Sequence, residues 1–407
     1  MVIEMHIDIE RIKQQTVKFA AIGQAIDGSI SRVFGSEYYE KASIEMKEYM
    51  EEVGMVSYID SVGNVHGLLK CEKKDAQEIV IGSHLDTVKE GGIFDGLLGI
   101  IVAVEIVREL ILKKQLGNYH VHVVATNGEE GNELGGTFGS RAMMGMLELE
   151  SEEFLTKALT FGYTEEDLKQ AIYDTTRCKC YLEMHVEQGR TLDELNIPVG
   201  IVTGIVGLER YQIEVNGISN HAGTTMMTYR DDAVVKGAKL IDQVDLLARD
   251  MGQNLVATFS KINISPNALA VINHQMTMIL ECRNENLSIM QQFIDSVEVY
   301  VEELTGTHMQ ETVKKAPVTC DEQIIETIER ICVENDTKYI KMPSGATHDG
   351  NFFAKKMPIG MVFVPSIGGM SHSKEENTAW EDIQIGADVL LKTVVDYNSK
   401  SKEDEGC

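Results

Sequence analysis

The chain is short of positive charge. Its 407 residues carry 37 Lys and Arg against 64 Asp and Glu, a formal net charge of -27. Nucleic acid and an anionic membrane surface both require a basic footprint, so this balance argues against either as a partner. An anionic small molecule would have to find its cation in a placed arginine or in a metal ion. Long apolar runs are also missing. Nowhere do 18 apolar residues stand together, which excludes a membrane-spanning helix. The first residues, MVIEMHIDIERIKQQ, are charged and amphipathic and lack the apolar stretch and cleavage site expected of a secretory leader. Cysteine is sparse and unpatterned: Cys71, Cys178, Cys180, Cys282, Cys320, Cys332 and Cys407 are odd in number, and Cys178-Lys-Cys180 has no second pair to complete a zinc ribbon. They read as reduced thiols of a cytoplasmic protein. The glycine-rich KEGGIFDGLLGI (89–100) contains neither GxxxxGK[ST] nor GxGxxG, and its acids would repel phosphate, which argues against a nucleotide cradle.

What is present describes a globular protein, 43% hydrophobic and 25% charged, long enough that two domains are expected. Apolar, β-branched runs alternate with helical patterns in the first half. EIVIGSH (78–84) reads as a strand, GLLGIIVAVEIVRELILKK (96–114) as a helix and YHVHVVATNGEE (119–130) as a strand. A short helix at TFGSRAMMG (137–145) and a strand at KCYLEMHVEQG (179–189) follow. This α/β order predicts a parallel or mixed sheet with helices on both faces. From Glu209 the pattern changes to strand, helix, two strands, helix and strand, the βαββαβ order of a ferredoxin-like α+β unit. The α/β texture resumes near Asp321. The reading is therefore a larger domain over 1–208 and 321–407, interrupted by an inserted one over 209–320.

Acid and imidazole side chains gather where these strands end: His84, Asp86 and Asp95; Glu129 and Glu130; His185 and Glu187; and His372. Strand ends of an α/β sheet converge on one rim, where ligands bind. A cluster of buried acids and imidazoles is electrostatically costly without cations, so the set predicts a metal site. Nitrogen and oxygen ligands without thiolate suit zinc, manganese, cobalt or nickel. Five ligands drawn from this set would exceed the needs of one catalytic zinc with an open position and would suit two metals sharing a carboxylate. His66, His274 and His308, and the alternating His120 and His122, read as structural.

GSHLDTV and GGIFDGLLG, NGEEGNELGGTFGSRAMMG, EMHVEQG, NHAGTTMMTYRDDA, SGATHDG and GGMSHSKEENT together resemble the aminoacylase/carboxypeptidase metallohydrolases. More narrowly, they resemble the hydantoinase/carbamoylase branch, which includes N-carbamoyl-L-amino acid hydrolases and allantoate amidohydrolases. His185 supports that branch, because peptidase relatives usually carry an acid there. The resemblance spans about 18–391. It implies a binuclear-metal exopeptidase-like catalytic domain whose inserted domain is both lid and dimerisation element of a homodimer. It implies two divalent ions, with Asp95 bridging them, His84 and His185 completing one site, and Glu130 and His372 the other. Asp86 would accept the second N–H of His84, and Glu129 would be the general base. His221 would stabilise the oxyanion, and Arg283 would grip a substrate carboxylate. Gln188 would hydrogen-bond the substrate, and Gly345 and His348 would line the same pocket.

Four positions depart from the family pattern, all on the substrate side. Ala270 in PNALA replaces an asparagine, Glu281 in ECR an aspartate two residues before Arg283, Met226 a proline and Thr347 a glycine. These imply an unchanged hydrolytic centre with an altered specificity pocket. The expected activity is hydrolysis of a ureido or N-acyl amino acid, foremost an N-carbamoyl-L-amino acid, with allantoate or ureidoglycolate next. Rival readings are an N-acyl-amino-acid deacylase or dipeptidase, or a catalytically silent metal-binding homologue. The intact Glu129, His221 and five ligands speak against silence.

Overall fold

A computed structural model of the chain describes residues 5–399. Its strands are β1 (Val56–Ile59), β2 (Val65–Leu69), β3 (Glu78–His84), β4 (His120–Thr126), β5 (Cys178–Val186), β6 (Val199–Ile205), β7 (Gly207–Asn216), β8 (Val256–Ser265), β9 (Gln275–Asn284), β10 (Thr307–Lys315), β11 (Val318–Thr319), β12 (Tyr339–Ser344) and β13 (Ile359–Val364). The chain divides into two compact units, Met1–Thr203 with Thr319–Cys407, and Gly204–Val318. No described helix is long and apolar enough to cross a membrane. The six described cysteines are free and buried.

The first unit is built on a mixed sheet ordered β1-β2-β4-β3-β5-β13-β6-β11, with β12 added on β6. Its centre, β4-β3-β5-β13, is parallel, and the pairs β1-β2, β2-β4 and β13-β6 are antiparallel. Every residue of β3, β4 and β13 is buried, as parallel strands covered on both faces must be. The helix Leu97–Leu112, apolar around its circumference, fills one of those faces. Gly99 lets it come close: a side chain there would collide with the carbonyl oxygen of Met184 on β5. Parallel pairing aligns the carboxyl ends of the central strands, with His84 opposite Thr126 and Phe363 opposite His185. The loops that follow β3, β4, β5 and β13 therefore leave from one edge.

Two expected strands end early. The one read through Glu130 stops at Thr126, because Gly128, at φ 69°, turns the chain and the N–H groups of Glu129 and Glu130 bond to Asp86 instead of a ladder. The one read through Gly189 stops at Val186, before Gln188 turns at φ 57°. Strands β1, β2 and β12 lack a clear alternating pattern, and Pro343 inside β12 reads against a strand. It is tolerated because β12 pairs with β6 alone.

The second unit follows βαββαβ order, with helices Ala233–Met251 and Leu287–Glu303. Its fully antiparallel sheet runs β10-β7-β9-β8. Strict alternation along β9 buries Met276, Met278, Leu280 and Cys282 with Leu240, Val244, Phe293 and Val297 of the helices. Glu281 and Arg283 consequently share the other face.

His66 and His122 are buried between strands, as structural residues, whereas His274 and His308 are exposed. His66 Nδ1 lies 2.9 Å from His122 Nε2, and His66 Nε2 lies 3.2 Å from Asp60 Oδ2. If His66 donates to Asp60, His122 donates to His66, and His122 Nδ1 is left bare. It has no hydrogen-bond partner, because Glu78 Oε2, which accepts from Tyr173, stays 3.6 Å away. Burial, and then the neighbouring His66, hold His122 well below the usual imidazole range. The unfolded chain thus binds the extra proton more readily. The stabilising contribution is present above the ordinary value of 6.5 and is lost as pH falls below it. In metal-free urea titrations between pH 6.5 and 5, the wild type should lose stability more steeply than His122→Gln, by up to about 1.4 kcal/mol per pH unit. Equal slopes would refute this.

Candidate metal centre

Asp95 stands at the centre of the carboxyl edge, immediately before the helix Leu97–Leu112, whose N-terminal dipole favours a carboxylate. Its two oxygens face different partners. Oδ1 lies 3.4 Å from His84 Nε2 and 3.2 Å from His185 Nε2. Oδ2 lies 3.3 Å from His372 Nε2, which is itself 3.3 Å from Glu130 Oε1. Two sets able to hold a metal ion result, His84-Asp95-His185 and Asp95-Glu130-His372, each with its ligand atoms within 4.8 Å of one another. Asp95 belongs to both.

Local geometry fixes which imidazole nitrogens point inward. His84 Nδ1 lies 3.0 Å from the backbone carbonyl of Asp86, and His185 Nδ1 lies 2.8 Å from that of Val186. Donation to those carbonyls places the neutral-ring proton on Nδ1 and turns the Nε2 lone pairs toward Asp95. The N–H of Gly96 points at His185 Nε2, at 3.3 Å, as it would at a lone pair. Gly96, at φ 67°, has no alternative, because a side chain there would collide with the His84 ring. Lone pairs converging on a buried carboxylate oxygen, with Asp95 Oδ1 lacking any hydrogen bond, require a positive charge between them. Protons and divalent cations compete for that place. Burial alone would lower His84 and His185, but Asp95 and the neighbouring acids outweigh it and raise both. Burial would likewise raise Asp95, yet His185, His372 and His84 hold it well below the usual range. The donor set therefore fits divalent metal.

Around this pair stand more acids. Glu129 is raised well above the usual range, first by burial and further by Asp349 and Glu130, although His84 opposes the shift. Its Oε2 lies 3.9 Å from His84 Nε2. Burial and Asp95 push Glu130 up to about 7. The expected role of Asp86 needs correction. Its carboxylate oxygen is 3.8 Å from His84 Nδ1, whereas its own backbone carbonyl takes that N–H. The carboxylate instead accepts the backbone N–H groups of Glu129 and Glu130, each at 3.1 Å, because the turn after Gly128 aims both at it. Asp86 sets the acid pair, and its main chain sets the histidine.

Other expected residues are placed as follows. The Gln188 amide donates to Asp95 Oδ2 at 3.1 Å and lies 3.3 Å from His372 Nε2. Gly345 is exposed on the loop after β12. His348 is not on an open surface. It is 2% exposed, packs edge-on against His185 with centroids 4.6 Å apart, and lies 2.8 Å from Ser344 Oγ. It supports the His185 ring from behind, and burial followed by the charge of His185 holds it well below the usual range. His221 and Arg283 belong to the second unit. The exposed His221 accepts N–H groups of Gly223 and Thr224 on Nδ1, at 3.0 and 3.3 Å, which leaves its proton on Nε2. Arg283 donates to Glu281 at 2.8 Å. Burial would raise Glu281, but Arg210 and Arg283 outweigh it and lower it.

Two residues of the first unit carry no sequence signal for their place here. Arg32, 1% exposed, donates to the carbonyls of Leu85 and Phe19, and its charge is felt by Asp86. Glu376, 5% exposed, accepts the N–H groups of Phe94 and Asp95. An acid four residues after His372 could be noticed in the sequence, but not what it touches.

With this geometry described, comparison with known proteins gives a consistent result. The chain is 35% identical over 402 residues to the N-carbamoyl-L-amino acid amidohydrolase of Geobacillus stearothermophilus, a match covering 95% of this chain and 97% of that protein. It is 29% identical over 396 residues to the allantoate amidohydrolase of Escherichia coli K12, covering 94% and 96%. The crystal structure of an amidase of the hydantoinase/carbamoylase family from Burkholderia multivorans is similar at a TM-score of 0.88 and 25% identity, over 97% of this chain and 99% of that one. The model of peptidase family M20/M25/M40 matches residues 80–396, from β3 to the last helix. Since that match takes in every strand end that supplies an acid or imidazole to the cluster, the chain belongs to the peptidase family M20/M25/M40.

Proposed function

We propose that this chain is a binuclear metal-dependent amidohydrolase that cleaves a linear C–N bond of an N-carbamoyl-L-amino acid. The division of the Asp95 oxygens between two ligand sets carries the metal part of the reading. Likeness to an N-carbamoyl-L-amino acid amidohydrolase over 95% of the chain supports the substrate. Allantoate, also a ureido acid, is the second reading, because an allantoate amidohydrolase matches over nearly as much.

His84, His185 and Asp95 would hold one ion, and Asp95, Glu130 and His372 the other, as zinc, manganese, cobalt or nickel. When bound, such ions supply Lewis acidity toward a carbonyl and lower the pKa of water. Glu129, made more basic by burial, takes the proton of the attacking water and delivers it to the departing nitrogen as the C–N bond breaks. His221 presents Nε2–H to the developing oxyanion. Arg283 pairs with the substrate carboxylate in place of Glu281, and Gln188 hydrogen-bonds the substrate. The second unit also serves as the homodimerisation element, because β8 pairs only with β9 and leaves an edge open with Val256 and Ile262 exposed. Buried, unpaired thiols fit a cytoplasmic location.

A panel of carbamoyl, acetyl and formyl amino acids with allantoate, each run with Mn, Co, Zn and Ni, tests the substrate. The reading fails if no carbamoyl or ureido acid turns over with any metal. For the metals, Asp95→Ala should lose both ions by elemental analysis, and full double occupancy would end the bridging role. Raised His84 and His185 release protons when metal binds, so wild-type affinity should climb from pH 6 to 8. Calorimetry in buffers of different ionisation enthalpy reads that release directly. For the base, Glu129→Gln should bind metal normally and lose about 100- to 10,000-fold in kcat. Near wild-type turnover by the metal-loaded variant would exclude Glu129.

A further inference from the structure

The loop carrying His372 is fastened to the loop carrying Asp95 by a single carboxylate. Glu376 Oε2 accepts the backbone N–H of Phe94 at 2.8 Å and that of Asp95 at 3.2 Å, across 281 residues of sequence. Its own N–H donates to the carbonyl of Ser373 at 3.1 Å, which closes the turn that directly follows His372. His372 is itself at φ 52°, a left-handed conformation that a non-glycine residue holds only under constraint. The receiving loop is shaped for the acid. A side chain at Gly92 would collide with the Glu376 carboxylate and its Cβ, so Gly92 provides the opening through which Glu376 reaches Phe94 and Asp95. Glu376 Oε1 is buried without a partner, so the group is held by those two amides and by packing.

From this we infer that Glu376 is a positioning residue that sets the two metal subsites against each other. Its grip on the amides of Phe94 and Asp95 directs the Asp95 carboxylate, so that one oxygen meets His84 and His185 while the other meets His372. The same grip holds the turn that follows His372, and with it His372, at that distance. The second subsite depends most on it, because His372 is the only ligand whose side chain is half exposed and its loop has no strand of its own there. This inference rests on the two-metal reading above. A merely structural carboxylate would, when removed, lower the melting temperature of the metal-free protein and leave metal binding by the folded fraction unchanged.

The test is titration of metal-free protein with Mn²⁺ alone, by calorimetry, beside the melting temperature of the metal-free form. Glu376→Ala should weaken Mn²⁺ binding at one of the two sites about 10- to 100-fold, the range typical of residues that orient metal ligands. Glu376→Gln, which keeps an acceptor oxygen and the volume, should recover most of that loss. Gly92→Ala approaches the contact from the opposite side and should reproduce the loss with Glu376 intact. It also gives a reading if Glu376→Ala does not fold. Wild-type affinity at both sites in folded Glu376→Ala, or in Gly92→Ala, would overturn the inference. A wild type that binds fewer than two Mn²⁺ would instead overturn the two-metal reading on which it rests.

Discussion

The first unit is organised around repulsion that only positive charge relieves. Two imidazole lone pairs and a carboxylate oxygen meet at Asp95 in a buried place, and neither ring can turn away, because each Nδ1–H is committed to a backbone carbonyl. Much nearby structure keeps the arrangement from relaxing. Gly96 leaves no side chain to push His84 aside, His348 backs His185, and Asp86 anchors the amides of the acid pair. A site held this way would be formed before a metal ion arrives, and binding of one would add to the stability of the fold.

How much of this was legible depended on whether a residue acts through its side-chain type or through the backbone it meets. The β3 strand and the long helix after it were visible as apolar runs of strand and helix length, and β9 because burial of one face imposes a period of two on the sequence. The acids and imidazoles of the cluster were visible because they follow such strands. Asp86 was misassigned because proximity in sequence suggested a carboxylate on His84, and only the turn at Gly128 shows where that carboxylate goes. Glu376 and Arg32 were missed for a related reason. Both bond to main-chain groups, which every residue possesses and which leave no mark on composition or spacing. Strands β1, β2 and β12 escaped notice because they lie toward the sheet edges, where partial exposure erases the pattern.

In the second unit, the paired segments 219–222 and 270–272 join His221 to Val271 and Ala222 to Ala270, so the position of His221 depends on the stretch that carries Ala270. Ala270 sits at φ 59°, a conformation better suited to asparagine or glycine.

The pairing of β5 with β13 also bears on how the protein is made. These neighbours are buried and parallel, yet the whole second unit, residues 204–318, is translated between them. At about 5–20 residues per second, those 115 residues (318 − 204 + 1) take roughly 6–23 s to synthesise. Throughout that interval the apolar strand Cys178–Val186 is an open edge on the nascent chain. Until β13 has been synthesised, that edge of the central sheet has no strand of its own chain to close it.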